Sequence, residues 1–315
     1  MLPYLLIAAA AGLASGLLHL GIGLPALGGL MLAYLAPLPL FLAGLGLGYQ
    51  GAATAAAVGA VLVALVQGLP FAAIHAVTYG LPVCILCRQA LLSRVDDGVS
   101  HWYPPGRLSL VLAGLATAFF FLWFLGMALF GDGLLPLLYE IMGQMAAQFA
   151  DPGQREALLS LAELLPAFGA ISWMLGLVVN GVLAQGLLVR FERNLRPSPN
   201  LADMELPPAL FLVLLGGIVV AMLGGLLGMI GKTLAAIAVV PYFLLGLGVF
   251  HAFSRGWNGC LFILMLFYGF VLPLFFVPAA VVIVGLGLLY AAMRLRAGGK
   301  PNGGAGTGGD AGKEE

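Results

Sequence analysis

The sequence predicts an all-α fold: a polytopic transmembrane helical bundle of about ten spans, some broken or short, plus a short interfacial helix in an outer loop. Three observations carry this reading. Hydrophobic residues make up 62% of the chain and charged residues 8%, against about 25% charged in an ordinary soluble domain. Apolar runs recur through residues 1–296, and about 20 such residues suffice to cross a hydrocarbon core. The few charges are sorted by sign: arginines gather at 88–107 and 190–196, acidic residues at 132–163.

Residues 1–87 contain no Asp, Glu, Lys or Arg. The opening MLPYLLIAAAAGLASG has no basic residue ahead of its apolar core, so a retained first span is expected rather than a cleaved signal peptide. Apolar runs at about 3–20, 22–48, 50–67 and 70–93 read as four crossings. The second is interrupted by APLPLFLAGLGLGYQG, residues 36–51, where Pro37 and Pro39 remove backbone donors and break the helix. Such a break is either a helix–turn–helix packed by small residues or a binding-site break of the transporter type. Small residues repeat at spacing four, as Ala8, Gly12 and Gly16 and as Ala52, Ala56, Ala60 and Ala64. They predict smooth faces on which helix backbones approach closely.

The hydrophilic stretch 88–107, with Arg88, Arg94 and Arg107, reads as cytoplasmic by the positive-inside rule. A span at about 108–131 follows, then the acidic segment 132–163 on the outside. Within it Glu140, Gln144 and Gln148 form one stripe, and Leu138, Ile141, Met142, Met145 and Phe149 cover the other side. This predicts an amphipathic helix lying along the outer interface. Asp151, Pro152 and Gln154 then predict an N-cap, N1 and N3 of a second short helix.

Further spans are expected at about 166–190, 208–230, 233–253, 257–274 and 277–296. Arg190, Arg193 and Arg196 lie beside Pro197, Pro199, Pro207 and Pro208, which stop the helix. Arg255, Arg294, Arg296 and Lys300 fall on the same cytoplasmic side, and only Lys232 falls outside. Both termini are thereby cytoplasmic. Residues 1–296 form one integral membrane domain, and the Gly-rich 297–315 reads as a disordered cytoplasmic tail.

Several motifs fail on context. Gly46–Gly51 matches GxGxxG but sits in a membrane helix, and no carboxylate precedes Asp96. Gly231-Lys232-Thr233 lacks the first glycine of a phosphate loop, since position 226 is Leu226, so Lys232 reads as interfacial. Cys84 and Cys87 read as small apolar residues on a buried helix face, and with Cys260 they set no disulfide framework. No metal site is expected, and no basic patch with interleaved aromatics suggests nucleic acid. No span core carries a carboxylate or a basic side chain, which argues against ion-coupled transport and intramembrane acid catalysis. No enzyme activity or cofactor is expected.

Uncharged polar residues remain. Trp173 and Asn180 lie one heptad apart on one helix face, and His75 and Tyr79 lie four apart on another, while Gln67 and His19 fall at outer ends. Ordinary interhelical hydrogen bonding accounts for them. The sharper reading is an outward-opening polar cavity of His75, Tyr79, Trp173 and Asn180 for a small uncharged or zwitterionic ligand. His251 and Arg255 read as an interfacial pair.

Three stretches, APLPLFLAGLGLGYQG, RFERNLRPSPNLADMELPPAL and LLGLGVFHAF, resemble in order and spacing the YybS-like family of predicted bacterial membrane proteins, the domain of unknown function 2232. The resemblance spans nearly all of residues 1–296. That family is similar, distantly, to the substrate-binding S components of energy-coupling factor transporters. The resemblance implies a bacterial inner (plasma) membrane location and a helix face that docks a membrane coupling partner. Ala10 and Ala14 match the AxxxA spacing of that face, beside the packing residues Gly12 and Gly16. Two functions follow as expectations: a small-molecule binding or uptake component, or a non-catalytic scaffold or assembly factor for the cell envelope.

Overall fold

The computed structural model describes residues 2–21, 27–130, 133–149 and 151–296. The expected tail at 297–315 lies outside the described residues. The described chain is a helical bundle of a membrane protein. Eight of its helical stretches are long and apolar enough to cross a bilayer, and two shorter apolar helices accompany them. Large apolar side chains such as Leu65, Leu69 and Met222 stand exposed. Faces of that kind are unsuited to water and natural against acyl chains.

The helices are α1 (Leu2–Leu20), α2 (Leu27–Tyr34), α3 (Pro37–Leu47), α4 (Tyr49–Gln67), α5 (Leu69–His75) and α6 (Leu81–Ala90). A π-helical turn, Ala76–Gly80, joins α5 to α6. Next come α7 (Pro105–Phe130), α8 (Leu134–Ala146), α9 (Pro152–Ser160) and α10 (Leu165–Arg190). The last group is α11 (Pro208–Ala221), α12 (Gly225–Ser254), α13 (Cys260–Leu266), α14 (Leu272–Leu274) and α15 (Phe276–Arg296). A second π-turn, Phe267–Val271, precedes Pro273 just as the first precedes Pro82.

Helix α1 packs on α4 through glycine. A Cβ on Gly12 would collide with Ala55 O, and one on Gly16 would lie 3.0 Å from Gly59 O. Only glycine lets the two backbones come this close. The α4 residues that meet these glycines are Ala55, Val58, Gly59 and Leu62, while Ala52 lies against Gly44 of α3. Ala56, from the expected spacing-four series, turns instead toward Gly80 of the π-turn. Of the expected α1 packing residues, Gly12 and Gly16 are buried, whereas Ala10 is exposed and Ala14 half-buried. Cys87 is buried against Gly44 of α3, so the CxxC is a packing element, and all three cysteines are free thiols.

The arginine-bearing segments share one end of the bundle. Arg196 Nη1 donates to Ala90 O at the end of α6, and its guanidinium lies over the Trp102 ring. Gly106 meets the backbone of Glu205, Gly248 meets Leu201, and Arg294 Nη1 reaches Met204 O. Helix α7 starts at this end and runs 26 residues, about 39 Å at 1.5 Å per residue. Its far half carries Phe120, Phe124 and Met127 into a second apolar cluster with Leu134, Leu138, Met142, Ala162 and Met229. The acidic segment therefore sits at the opposite end. There Lys232 Nζ pairs with Glu163 at 2.6 Å, and Arg155, the other cation at this end, donates Nε to Phe149 O.

Two expectations are corrected, the α11–α12 turn and the partner of His251, and the ribbon at 93–102 and the seating of α8 add detail. Helix α11 stops at Ala221, and α12 is one helix of 30 residues from Gly225, so the turn falls ahead of Lys232 rather than at it. Gly224 and Gly225 have φ of +69° and +55°, a left-handed backbone open to glycine at little cost. Residues 93–102 form a two-stranded antiparallel ribbon, Ser93–Asp96 with Val99–Trp102. Asp97 and Gly98, with φ of +49° and +78°, make its tight turn. Helix α8 is held on the bundle by Leu134, Leu138, Met142 and Ala146. Glu140, Gln144 and Gln148 are exposed as expected, but so are Ile141, Met145 and Phe149, so only part of the apolar side faces protein. His251 is partnered by Leu247 O and the Tyr268 hydroxyl, not by Arg255. The Asp151 N-cap is as expected: its carboxylate accepts from Gly153 N.

Candidate functional site

The site grows out of the helix break between α2 and α3. Pro37 and Pro39 have no N–H, so Ala33 O and Leu35 O lose their usual partners four residues on. The chain tightens instead: Ala36 N bonds Ala33 O at 3.1 Å, and Leu38 N bonds Leu35 O at 3.0 Å. With the Leu38 N–H spent there, Tyr34 O is left for a side chain. Asn180 Nδ2 of α10 takes it at 2.8 Å while also donating to Gly176 O at 2.7 Å. Ser15 Oγ of α1 donates to Ala36 O at 2.7 Å.

The π-turn repeats the device. In an α-helix Thr78 O would bond the N–H of residue 82, which is Pro82 and has none. Trp173 Nε1 of α10 donates to Thr78 O at 3.0 Å. Breaks in a span survive where protein re-satisfies the freed backbone groups. Here Ser15, Trp173 and Asn180 do so, and in doing so they tie α1, α2, α3, α10 and the π-turn together.

Beside the break lies a compact polar cluster. The rings of His19, His75 and Tyr79 meet edge to face, with centroids 5.2 Å apart for the two histidines and 5.7 and 5.8 Å from each to Tyr79. His75 Nε2 is 3.1 Å from Ser15 Oγ. The single hydroxyl proton of Ser15 goes to Ala36 O, so His75 Nε2 is the donor in this contact. His75 Nδ1 is then a bare acceptor, buried without a partner, and His19 Nδ1 is likewise buried without a partner.

A cavity of about 200 Å³ opens beside the cluster, lined by Leu30, Ala33, Tyr34, Pro37, Tyr79, Gly169, Trp173, Gly176 and Leu177. Tyr79 lines it, and its hydroxyl makes no hydrogen bond among the described residues. Trp173 of its wall stacks on Phe119, with centroids 5.5 Å apart and planes 10° apart. Tyr34 and Gly176 also border a neighbouring apolar cleft that reaches Asn180 and Phe276. The Tyr34 hydroxyl bonds Ser172 between the two.

The expected residues are thus brought together, with different parts. Tyr79 and Trp173 line the same cavity. Asn180 holds the break open below them and keeps its Oδ1 unpaired. His75 is fully buried behind Tyr79 and does not reach the cavity. Sequence reasoning missed Tyr34, Ser15 and the place of His19. The signal for the last two was present: residues 8, 12, 15, 16 and 19 form one helical face, and that face is buried. Gln67 is not in the cluster, and its Oε1 is buried without a partner. Comparison of the chain with protein-family models, with curated proteins and with solved structures finds no match.

Proposed function

We propose that this chain is a non-catalytic binding component for uptake of a small neutral or zwitterionic ring compound, bound in the cavity at the α2–α3 break. The observation that carries it is the meeting of Tyr34, Tyr79 and Trp173 on one cavity, supplied by three separate elements held by helix-break hydrogen bonds. Aromatic walls favour stacking against a planar ring, and the Tyr79 hydroxyl offers one directional contact. A volume of about 200 Å³ is below the roughly 300 Å³ where drug-sized sites begin. It suits a single ring, since an apolar cavity of about 150 Å³ already admits benzene. No charged side chain lines the cavity, so a full charge would enter unpaired and at high cost. Leu30 and Gly169, near the starts of α2 and α10, put the mouth toward the acidic end. In this reading the acidic end is outside, the arginine-bearing end and both termini are cytoplasmic, and the membrane is the bacterial inner membrane. Ala10 and Ala14 stay available on the lipid side of α1 for a coupling partner.

The test is thermal unfolding of the detergent-purified protein with nicotinamide, uracil and phenylalanine, and with benzoate as the charged control. A bound compound at a hundredfold excess over its Kd adds about 2.7 kcal/mol of stability. At least one neutral or zwitterionic ring should raise the midpoint, and benzoate should not. Gly169→Leu fills the cavity from a position where a Cβ meets open space. It should remove the ligand shift while leaving the ligand-free midpoint in place. No shift with any ring, or a shift that survives Gly169→Leu, would overturn the reading and leave the scaffold role as the better account.

A further inference from the structure

A second cavity lies toward the arginine-bearing end, and its character is unlike the first. It measures about 350 Å³ and sits among α3, α6, α7, α10 and α12. Most of its wall is aliphatic or aromatic, with Phe41, Leu86, Leu112 and Leu244 deep inside. Leu177, buried in α10, belongs to the walls of both cavities and stands between them. The edge is formed by Val182, Gly186, Ser198 and Pro199, all exposed. A ligand can therefore enter between α10 and the segment that follows it.

One cation looks into this apolar space. Arg196 is 6% exposed. Its backbone is pinned in place, with its carbonyl accepting from Gln185 Nε2 and Asn194 Nδ2, each at 2.9 Å. Nη1 caps Ala90 O at 2.7 Å, and the guanidinium plane lies 5.7 Å from the centroid of Trp102. Nε is buried with no partner. No carboxylate pairs with Arg196 among the described residues, whose ion pairs join Arg94 to Asp96 and Lys232 to Glu163. A guanidinium has five N–H donors, and a buried one is ordinarily paired. Helix capping spends one donor and leaves the charge unmatched. Burial lowers the Arg196 pKa from its ordinary value, but an arginine starts so high that it stays cationic.

We propose that this cavity binds an anionic amphiphile: a carboxylate or phosphate head held by Arg196 at the mouth, and a hydrocarbon chain laid into the apolar interior. The guanidinium fork matches both head groups, and basic pockets between helices near a membrane surface take acidic lipid heads. Two sources supply the same chemistry, a bilayer phospholipid such as phosphatidylglycerol and a free fatty acid such as oleate. The site is independent of the aromatic cavity on the other side of Leu177.

Native mass spectrometry of the detergent-purified full chain, titrated with phosphatidylglycerol, oleate or phosphatidylcholine, tests this. We expect one equivalent of an anionic amphiphile to be retained at least tenfold more tightly than phosphatidylcholine. Whether phosphatidylglycerol or oleate holds better identifies the source. Arg196→Gln keeps a donor for Ala90 O and removes the charge, and should lower that retention about tenfold. Gly181→Leu fills the interior, where a Cβ makes ordinary contact with Phe41 at 3.6 Å, and should abolish retention with Arg196 intact. Equal retention of phosphatidylcholine, or unchanged retention in a folded Arg196→Gln or Gly181→Leu protein, would overturn the proposal.

Discussion

At the scale of single residues, the informative side chains are those that replace a missing backbone N–H. Asn180 satisfies Tyr34 O, a carbonyl left over by the tight turn at Pro37 and Pro39. Asn180→Leu should cost about 1–3 kcal/mol, the range for stranding a buried polar group, read as a lowered unfolding midpoint without any ligand present. An unchanged midpoint would mean that water or another donor already serves that carbonyl. That His75 and Tyr79 share one helix face, and Trp173 and Asn180 another, was legible because spacings of four and seven return to one face; that the two faces meet was not. That His75 turns away from the cavity was not legible. It depends on how α5 packs on α4, where a Cβ on Gly59 would lie 2.9 Å from His75 Cε1, rather than on anything local to residue 75.

At the scale of elements, the α1–α4 pair makes the sharpest prediction. Gly12→Val would drive a side chain into Ala55 O and Val58 and should destabilise the protein by about 1–3 kcal/mol, as overpacking does. Ala10→Leu, on the exposed side of the same helix, should stay within about 0.5 kcal/mol of wild type. Thermal unfolding of the two variants side by side separates them, and equal losses would refute this assignment of faces. If Ala10→Leu also abolishes uptake in cells, the exposed face is one that docks a partner. Element boundaries were readable where proline marks them, as at Pro37 and Pro208. They were not readable at Met222–Gly225, where the apolar run continues through the turn and the only charged residue nearby, Lys232, lies a full two turns into α12. The 93–102 ribbon hid for the opposite reason: its Asp97-Gly98 turn is a strong hairpin signal, but the flanking strands are polar and only four residues long.

At the scale of the whole molecule, charge is sorted between the two ends of the bundle, and the positive-inside rule turns that sorting into a predicted orientation. The segments around Arg88–Arg107 and Arg190–Arg196 meet physically through Arg196, Ala90 and Trp102. The acidic segment caps the other end through the cluster around Met142 and Met229. In a variant with Cys84, Cys87 and Cys260 replaced, an impermeant thiol reagent applied to intact cells should modify Gln154→Cys and leave Ser198→Cys untouched. Modification of position 198 would reverse the orientation. That both arginine segments lie on one face followed from counting spans. The pairing of Lys232 with Glu163, 69 positions apart in the chain, could not be counted, since it depends on α12 beginning beside the start of α10.

The Met222–Gly225 turn has a consequence for the surrounding lipid. Helix α11 has 14 residues and α12 has 30, which at 1.5 Å per residue is about 21 and 45 Å. The hydrocarbon core is about 30 Å thick. The two lie in close contact, Gly217 on Ala235 and Gly231 on Ala221, so one flank of the protein presents a hydrophobic height shorter than the bilayer. Met222 and Leu223 at the turn are largely exposed. The acyl chains there must compress or splay to keep water on the turn's backbone, at a fraction of a kcal/mol per Å of mismatch. That elastic load is carried by the membrane, so bilayer thickness becomes a variable in the protein's stability. Reconstitution across a series of acyl-chain lengths should place the highest unfolding midpoint in the thinner bilayers, and a flat series would show that α11 tolerates a full-thickness core.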